Sequence, residues 1–442
     1  MRLNRLAAIG VNLLSIAALS PAVAQTTNLE QIYALAQDRD ASIATANASY
    51  AAGQEKASQG RALLGPSLTA GASYTYSHSK DDLMMPDGKS SNTQSVSLNL
   101  TQPLYNSAAF AGYRQGKLAA VQAKDNLTIA EQDLIVRTAQ AYFNVLSAQE
   151  SVRVAQAQKR AFSENLERAK LTFKVGTATI TDKHEAQARY DLAVADEIAA
   201  NSTLEVAKQS LASIIGEMPA ELADLKADTA LPELTPADMA EWIKRAKTNN
   251  AQLKAVQQTV AISQEDLNKA RAGHKPVVSL VASAGQQEGY NSFLKQDNTT
   301  DTYSVAVQLQ VPIFASGMTS SQVREANALR ESAKSRLEQT ERNIVLQTQQ
   351  AYLAVANGRL RVLALQAALL SNQSAMDATK KGLEVGIRTN LDLLNAQQLY
   401  FATQRDLAVA KYNYLIDILR LKSASGSLEA VDLNEINALL QG

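Results

Sequence analysis

The 442-residue sequence contains no cysteine. This excludes a disulfide framework, a thiol nucleophile, a thiolate-held metal and a lipid carried on a processed cysteine. Histidine is scarce, and His78, His184 and His274 lie too far apart to give a metal-ligand spacing. Aromatic residues make up only 5% of the chain, which disfavours a single bulky core. Excess charge is missing too. The 43 Lys+Arg residues are matched by 43 Asp+Glu, leaving no basic footprint for nucleic acid. No nucleophile elbow, P-loop or zinc helix occurs, and Gly88-Lys89-Ser90 lacks the upstream glycine of a phosphate loop. The expectation is a chain that is not an enzyme and holds no metal or cofactor.

Long apolar runs are confined to the N-terminus. Arg2 and Arg5 precede an apolar stretch from Leu6 to about Leu19, and Ala22-Val23-Ala24 offers a small-residue cleavage site. Residues 1–24 therefore read as a signal peptide. Its loss leaves 41 basic and 43 acidic residues, a charge of −2. No later stretch reads as a spanning helix. The exported chain is expected in the periplasm or the outer membrane.

What is abundant is Ala, Leu, Val and Ile at helical spacing, organised in two copies. Val175–Tyr190 (VGTATITDKHEAQARY) returns as Val385–Tyr400 (VGIRTNLDLLNAQQLY), 210 positions on. A repeat of that length means two copies of one structural unit. Each stretch reads as a helix end, a turn and a new helix start. Gly176 and Gly386 can take the left-handed conformation that closes a helix. Thr179, Thr181 and Asp182, or Thr389, Asn390 and Asp392, offer oxygens to the next helix's free N–H groups.

The first copy is expected at 25–216, with a helix at 29–61, a strand hairpin at 67–102, a long helix at 107–174 and a return helix at 182–215. A connector follows at 217–239. The second copy, 240–425, holds a helix at 240–272, a hairpin at 277–311, a long helix at 318–382 and a return helix at 390–425. A tail, 426–442, closes the chain. The long helix carries a seam, Leu134, Thr138, Ala141, Val145, Ala148, Val152 and Ala155, alternating steps of four and three as in a coiled coil. Its echo is Ile344, Thr348, Ala351, Val355, Gly358, Val362 and Leu365.

The strands alternate with period two. Leu68, Ala70, Ala72, Tyr74 and Tyr76 oppose Ser67, Thr69, Gly71, Ser73 and Thr75. Val96, Leu98 and Leu100 follow, with Pro103 read as the strand end. Val278, Leu280, Ala282 and Ala284 alternate in the second copy, and Tyr303, Val305, Val307, Leu309 and Val311 oppose Ser304, Ala306, Gln308 and Gln310. Each strand reads as about 9–11 residues, enough to cross a bilayer at a tilt. A membrane barrel with a wet lumen fits this pattern. An antiparallel sheet lying on the chain's own helices alternates equally well. A membrane sheet must close, and four strands are too few, so the barrel reading requires several identical chains.

With these pieces assembled, the sequence resembles the TolC family of outer-membrane efflux and secretion channels. The resemblance covers nearly the whole exported chain. It is densest over Val385–Leu440, with Phe173-Lys174-Val175-Gly176, Ile180-Thr181-Asp182 and Ala188-Arg189-Tyr190-Asp191 matching in the first copy. It implies a mainly α fold with a membrane β-barrel portion. Three chains of four strands would make a 12-stranded barrel, continued by 12 helices as a periplasmic tunnel. It implies a homotrimer in outer-membrane lipid, docked by a periplasmic adaptor and an inner-membrane pump of RND or ABC type. The implied function is a passive gated conduit for efflux or type I secretion. The gate would use Asp392 as an acid ring, and Arg388 as a cationic link to Thr181 and Asp182. Leu383 and Asn395 depart from the family pattern, where a gate tyrosine and a second acid ring are expected.

Asp182 and Asp392 also have a purely structural account as helix-start residues. An Arg388–Asp182 pair in water would contribute only about 0–1 kcal/mol. Tyr105, Phe110 and Phe314 are expected to pack where strand becomes helix, and Met84 and Met85 to be loop residues. The rival to the duct is a periplasmic coiled-coil adaptor or scaffold. A general diffusion porin is a third reading.

Overall fold

A computed structural model describes residues 26–81, 85–226, 230–291 and 296–440. The expected signal peptide and Met84 lie outside these residues. The chain runs α1 (Leu29–Arg39), α2 (Ala41–Ala62), β1 (Ser67–Asp81), β2 (Met85–Asn106), α3 (Ser107–Lys174) and α4 (Ile180–Ile215). The same order returns as α5 (Met239–Asn249), α6 (Ala251–Ala272), β3 (Val277–Asn291), β4 (Gln296–Gln310), α7 (Met318–Glu384) and α8 (Asn390–Ala424). A short α9 (Asp432–Asn437) follows.

The helices at 29–61 and 240–272 are not continuous. Each breaks, at Asp40 and at Asn250, where a side-chain oxygen caps the following helix. Asp40 Oδ1 accepts from the N–H groups of Ser42 and Ile43 at 2.9 and 3.0 Å. It also meets the Arg137 guanidinium of α3. Burial alone would raise the Asp40 carboxyl, but Arg137, Ser42 and the Ile43 N–H together hold it well below the usual carboxylate range.

The four strands form one antiparallel sheet in the order β1-β2-β3-β4. They are 15 to 22 residues long, beyond the 9–11 expected. The ladder continues past the apolar segments through pairs polar on both faces, such as Ser77↔Ser91, His78↔Ser90 and Gln287↔Thr300. Pro103 does not end β2. It pairs with Ser279, and the register then skips Leu104 before Tyr105 meets Val278. A bulge there tolerates the missing proline N–H.

One face gathers Leu68, Ala70, Leu98, Leu100, Leu280, Ala282, Val305 and Val307 across neighbouring strands. The other carries hydroxyl pairs, Ser73–Ser95 and Ser283–Ser304, each at 2.7 Å. The apolar face stays open: Leu68, Tyr303 and Val305 are two-thirds or more exposed. The sheet therefore does not lie on the chain's own helices. Phe314 is 87% exposed, so it does not pack at the strand–helix junction within the chain.

The main core lies midway along the helices. Tyr142, Phe143 and Leu146 of α3 meet Tyr412, Leu415 and Leu419 of α8, with Leu29 and Ile32 of α1. Phe143 contacts Tyr142 edge-on and stacks on Tyr412, at 5.6 and 5.7 Å between centroids. The scarce aromatics hold the segment between α4 and α5. Tyr142 donates to Ala223 O, Tyr414 to Pro232 O and Tyr352 to Ala237 O. Trp242 Nε1–H donates to Pro236 O. Every residue of the Leu134–Ala155 seam is buried. By composition α7 does hold one stretch apolar enough to cross a membrane, contrary to the sequence reading. That stretch belongs to a 67-residue helix packed antiparallel on α8.

Candidate functional site: the two hairpin tips

Far from this core, α3 turns into α4 and α7 into α8 by the same device. Gly176 and Gly386 adopt φ of 77° and 79°. The next N–H reaches back five residues, from Thr177 to Thr172 O and from Ile387 to Gly382 O, each at 2.9 Å. The glycine N–H bonds Phe173 O or Leu383 O. Both turns are thus Schellman closures, in which the orphan carbonyls of the helix end are satisfied. Any other residue at either glycine would need the costly left-handed backbone.

The next helix starts with a reciprocal capping box. Thr179 N–H donates to Asp182 Oδ2 at 2.9 Å, and Asp182 N–H returns a bond to Thr179 Oγ1 at 3.1 Å. Thr389 and Asp392 repeat both bonds at the same distances. Asp182 and Asp392 therefore have a structural task, whatever else they do. The N–H and hydroxyl of Thr389 hold the Asp392 carboxyl below its ordinary range, and Arg388 adds to this.

A cleft of about 490 Å³ separates the two tips. Asp182, Leu383, Arg388 and Asn390 line it with Arg168 and Thr172. The structure thus brings together three of the candidate gate residues: Asp182, Leu383 and Arg388. Thr181 does not line the cleft. Among the described residues Arg388 makes no ion pair within 4 Å, so the expected link to Asp182 is absent inside one chain. The Arg388 side chain instead lies over Gly382, where an added Cβ would fall 2.7 Å from Arg388 Cγ.

Above the cleft the hairpins are tied through the candidate gate residue Asn395 and through groups the sequence reading passed over. Arg189 of α4 donates to Asn395 Oδ1 at 3.0 Å and to Gln398 Oε1, both on α8. Buried Asn165 of α3 donates to Gln397 Oε1 at 2.6 Å. Arg189 falls inside the matched Ala188–Asp191 stretch and Asn395 was read as a gate position, but nothing in the sequence marks the two as partners.

An open sheet with one apolar and one hydroxyl-lined face, continued by long helical hairpins with matched tips, defines a membrane-channel protomer of two repeats. The chain belongs to the outer membrane efflux protein family, whose pattern it matches over residues 32–217 and 242–427. It is 33% identical to outer membrane protein TolC of Escherichia coli over 98% of this chain and 88% of that one. It is 31% identical to the proteases secretion protein PrtF of Dickeya chrysanthemi, over 96% and 93%. Its fold also matches the Campylobacter jejuni CmeC outer membrane channel, with TM-score 0.80, 18% identity and coverage of 93% and 90%.

Proposed function

We propose that the chain is one third of a homotrimeric, gated exit duct in the outer membrane. The observation that carries this is the sheet. Its apolar face is uncovered, and β1 and β4 each keep one unpaired edge among the described residues. Unpaired backbone groups cannot stay in hydrocarbon. Three copies would join β4 of one chain to β1 of the next and close a 12-stranded barrel, leaving the serine face to a wet lumen. The helices would extend the lumen into the periplasm, with 217–239 and 426–442 as an equatorial band around it. An adaptor or scaffold reading would need a cover for the apolar face.

At the tips, we assign a periplasmic adaptor as docking partner and an inner-membrane pump of RND or ABC type as the energy source. Relatives named for efflux and for protease secretion support both small toxic compounds and proteins as cargo. Asp392 would form a ring of three carboxylates at the entrance. Arg388 would reach Thr181 and Asp182, with Leu383 and Asn395 completing the gate. The full chain should fractionate with the outer membrane and run as a heat-sensitive trimer. A soluble periplasmic monomer would overturn the proposal. In planar bilayers a nearly closed pore is expected, whereas large spontaneous conductance would mean a diffusion porin.

A further inference from the structure

We infer that Arg189 sets the ion selectivity of the entrance by placing a cationic ring beside the Asp392 ring. This rests on the gated-duct reading above. Asp392, Asn395 and Gln398 form one i, i+3 row along α8. The Arg189 guanidinium spans the last two, with Nη2 3.0 Å from Asn395 Oδ1 and Nη1 on Gln398 Oε1. It therefore lies along the row that Asp392 begins. At 1.5 Å per residue, Asn395 and Gln398 sit about 4.5 and about 9 Å beyond Asp392 along the helix. That offset is within about one screening length at physiological salt, about 8 Å, so the fields of the two rings overlap and partly offset each other.

Neither charge is held in an ion pair among the described residues, although Arg388 lies beside Asp392 and favours its ionised form. Both groups touching Arg189 are neutral amides, and among the described residues no carboxylate lies within 4 Å of it. Asp392 is held ionised by its capping bonds and also lacks an ion pair among those residues. With Asn in place of a second carboxylate at position 395, a trimer would carry three negative charges followed by three positive ones. Opposed rings leave the entrance nearly balanced for monovalent ions. An acid ring alone would make it cation-selective.

The test is the reversal potential of the full-length protein in planar bilayers under a KCl gradient. Arg189→Gln removes the charge and leaves an amide able to meet Asn395. It should raise the potassium-to-chloride permeability ratio by roughly sevenfold, since a potential near kT acts in opposite directions on the cation and the anion. Asn395→Asp sets a carboxylate against the guanidinium and should shift the ratio the same way. Arg189→Lys keeps the charge and should leave it unchanged. Channels in which neither Arg189→Gln nor Asn395→Asp moves the ratio would overturn the inference. Asp392→Asn should lower the ratio and relieve block by multivalent cations. A silent Asp392→Asn would count against the acid ring of the gate, independently of Arg189. Failure to form channels at all would overturn the duct itself.

Discussion

Helices α3 and α7 are repeat equivalents of 68 and 67 residues, yet they face different surroundings. The described part of α3 buries residues along most of its length, since α2, α4, α6 and α8 all pack on it. In α7 the buried residues reduce to Thr319, Ile344, Thr348, Val355, Val362 and Gly382. The difference is written residue by residue at the 210-position offset. Phe143, fully buried in α3, corresponds to Leu353, which is half exposed. Glu150, Arg153 and Arg160 correspond to Leu360, Leu363 and Leu370, all exposed in α7. Where α3 shows water Arg153 and Arg160, α7 shows it a leucine, and Leu360 stands exposed where Glu150 is largely covered. A heptad-spaced leucine row on a long helix needs a cover, and the unclosed sheet asks for the same thing, a second copy of the chain. In the proposed trimer one repeat would build the protomer and the other would join it to its neighbour.

Transplanting the α3 residues onto α7 breaks this contrast most sharply. The triple variant Leu360→Glu, Leu363→Arg and Leu370→Arg should abolish the trimer on gels while helical content by circular dichroism is unchanged. An intact trimer would show that the leucine row faces water in the assembly. The paired core change is next in size. Phe143→Ala removes a ring buried between Tyr142 and Tyr412 and should cost about 3–5 kcal/mol in denaturant unfolding of the dissociated chain. Leu353→Ala, its repeat partner, should cost less than about 1 kcal/mol in the same measurement. Equal losses would mean that α7 is as embedded in its own chain as α3.

The break at Asp40 comes next. Asp40→Ala removes a helix cap and leaves Arg137 without its buried acceptor, at about 2–3 kcal/mol. Because the folded carboxyl is held below its ordinary range, this stabilisation is complete above the unfolded value of about 3.9. It fades as pH falls through the lowered folded value. The variant should therefore lose the part of the wild-type acid sensitivity that lies between those two values, measured as unfolding free energy against pH.

Much of this was legible because it is local. Period-two alternation in 67–76 and 303–311 follows from the pleat, and the turn chemistry of Gly176 and Gly386 from the backbone. The Asp40 and Asn250 breaks were legible in principle, since each starts a turn with a capping side chain. They were hidden by apolar spacing that runs on across them. The bulge at Pro103 was not readable, because a neighbouring strand 176 positions away supplies its register. The acceptors of Tyr142 and Tyr352 are backbone carbonyls, which have no sequence signature. The site divides in the same way. Asp182 and Asp392 stand out through their repeat, whereas the Arg189–Asn395 contact joins residues 206 apart, and no periodicity encodes it.

The smallest expected effect compares the two tips with each other. Thr179→Ala and Thr389→Ala each delete an N-cap hydroxyl in the same reciprocal box, at about 1 kcal/mol of local stability. Hydrogen exchange should report this as faster exchange confined to the first turn of α4 or of α8, with the midsection core unchanged. The tips differ in one respect: Arg388 lies beside the second box and adds to the lowering of the Asp392 carboxyl. A lowered carboxylate keeps its capping strength above its ordinary range and loses it only as pH falls through the lowered folded value. Arg388→Gln should therefore move the acid fraying of the α8 first turn to higher pH and leave α4 as it was. An unchanged fraying pH of the α8 tip in that variant would mean that Arg388 does not act on Asp392 and that the capping box alone sets its ionisation.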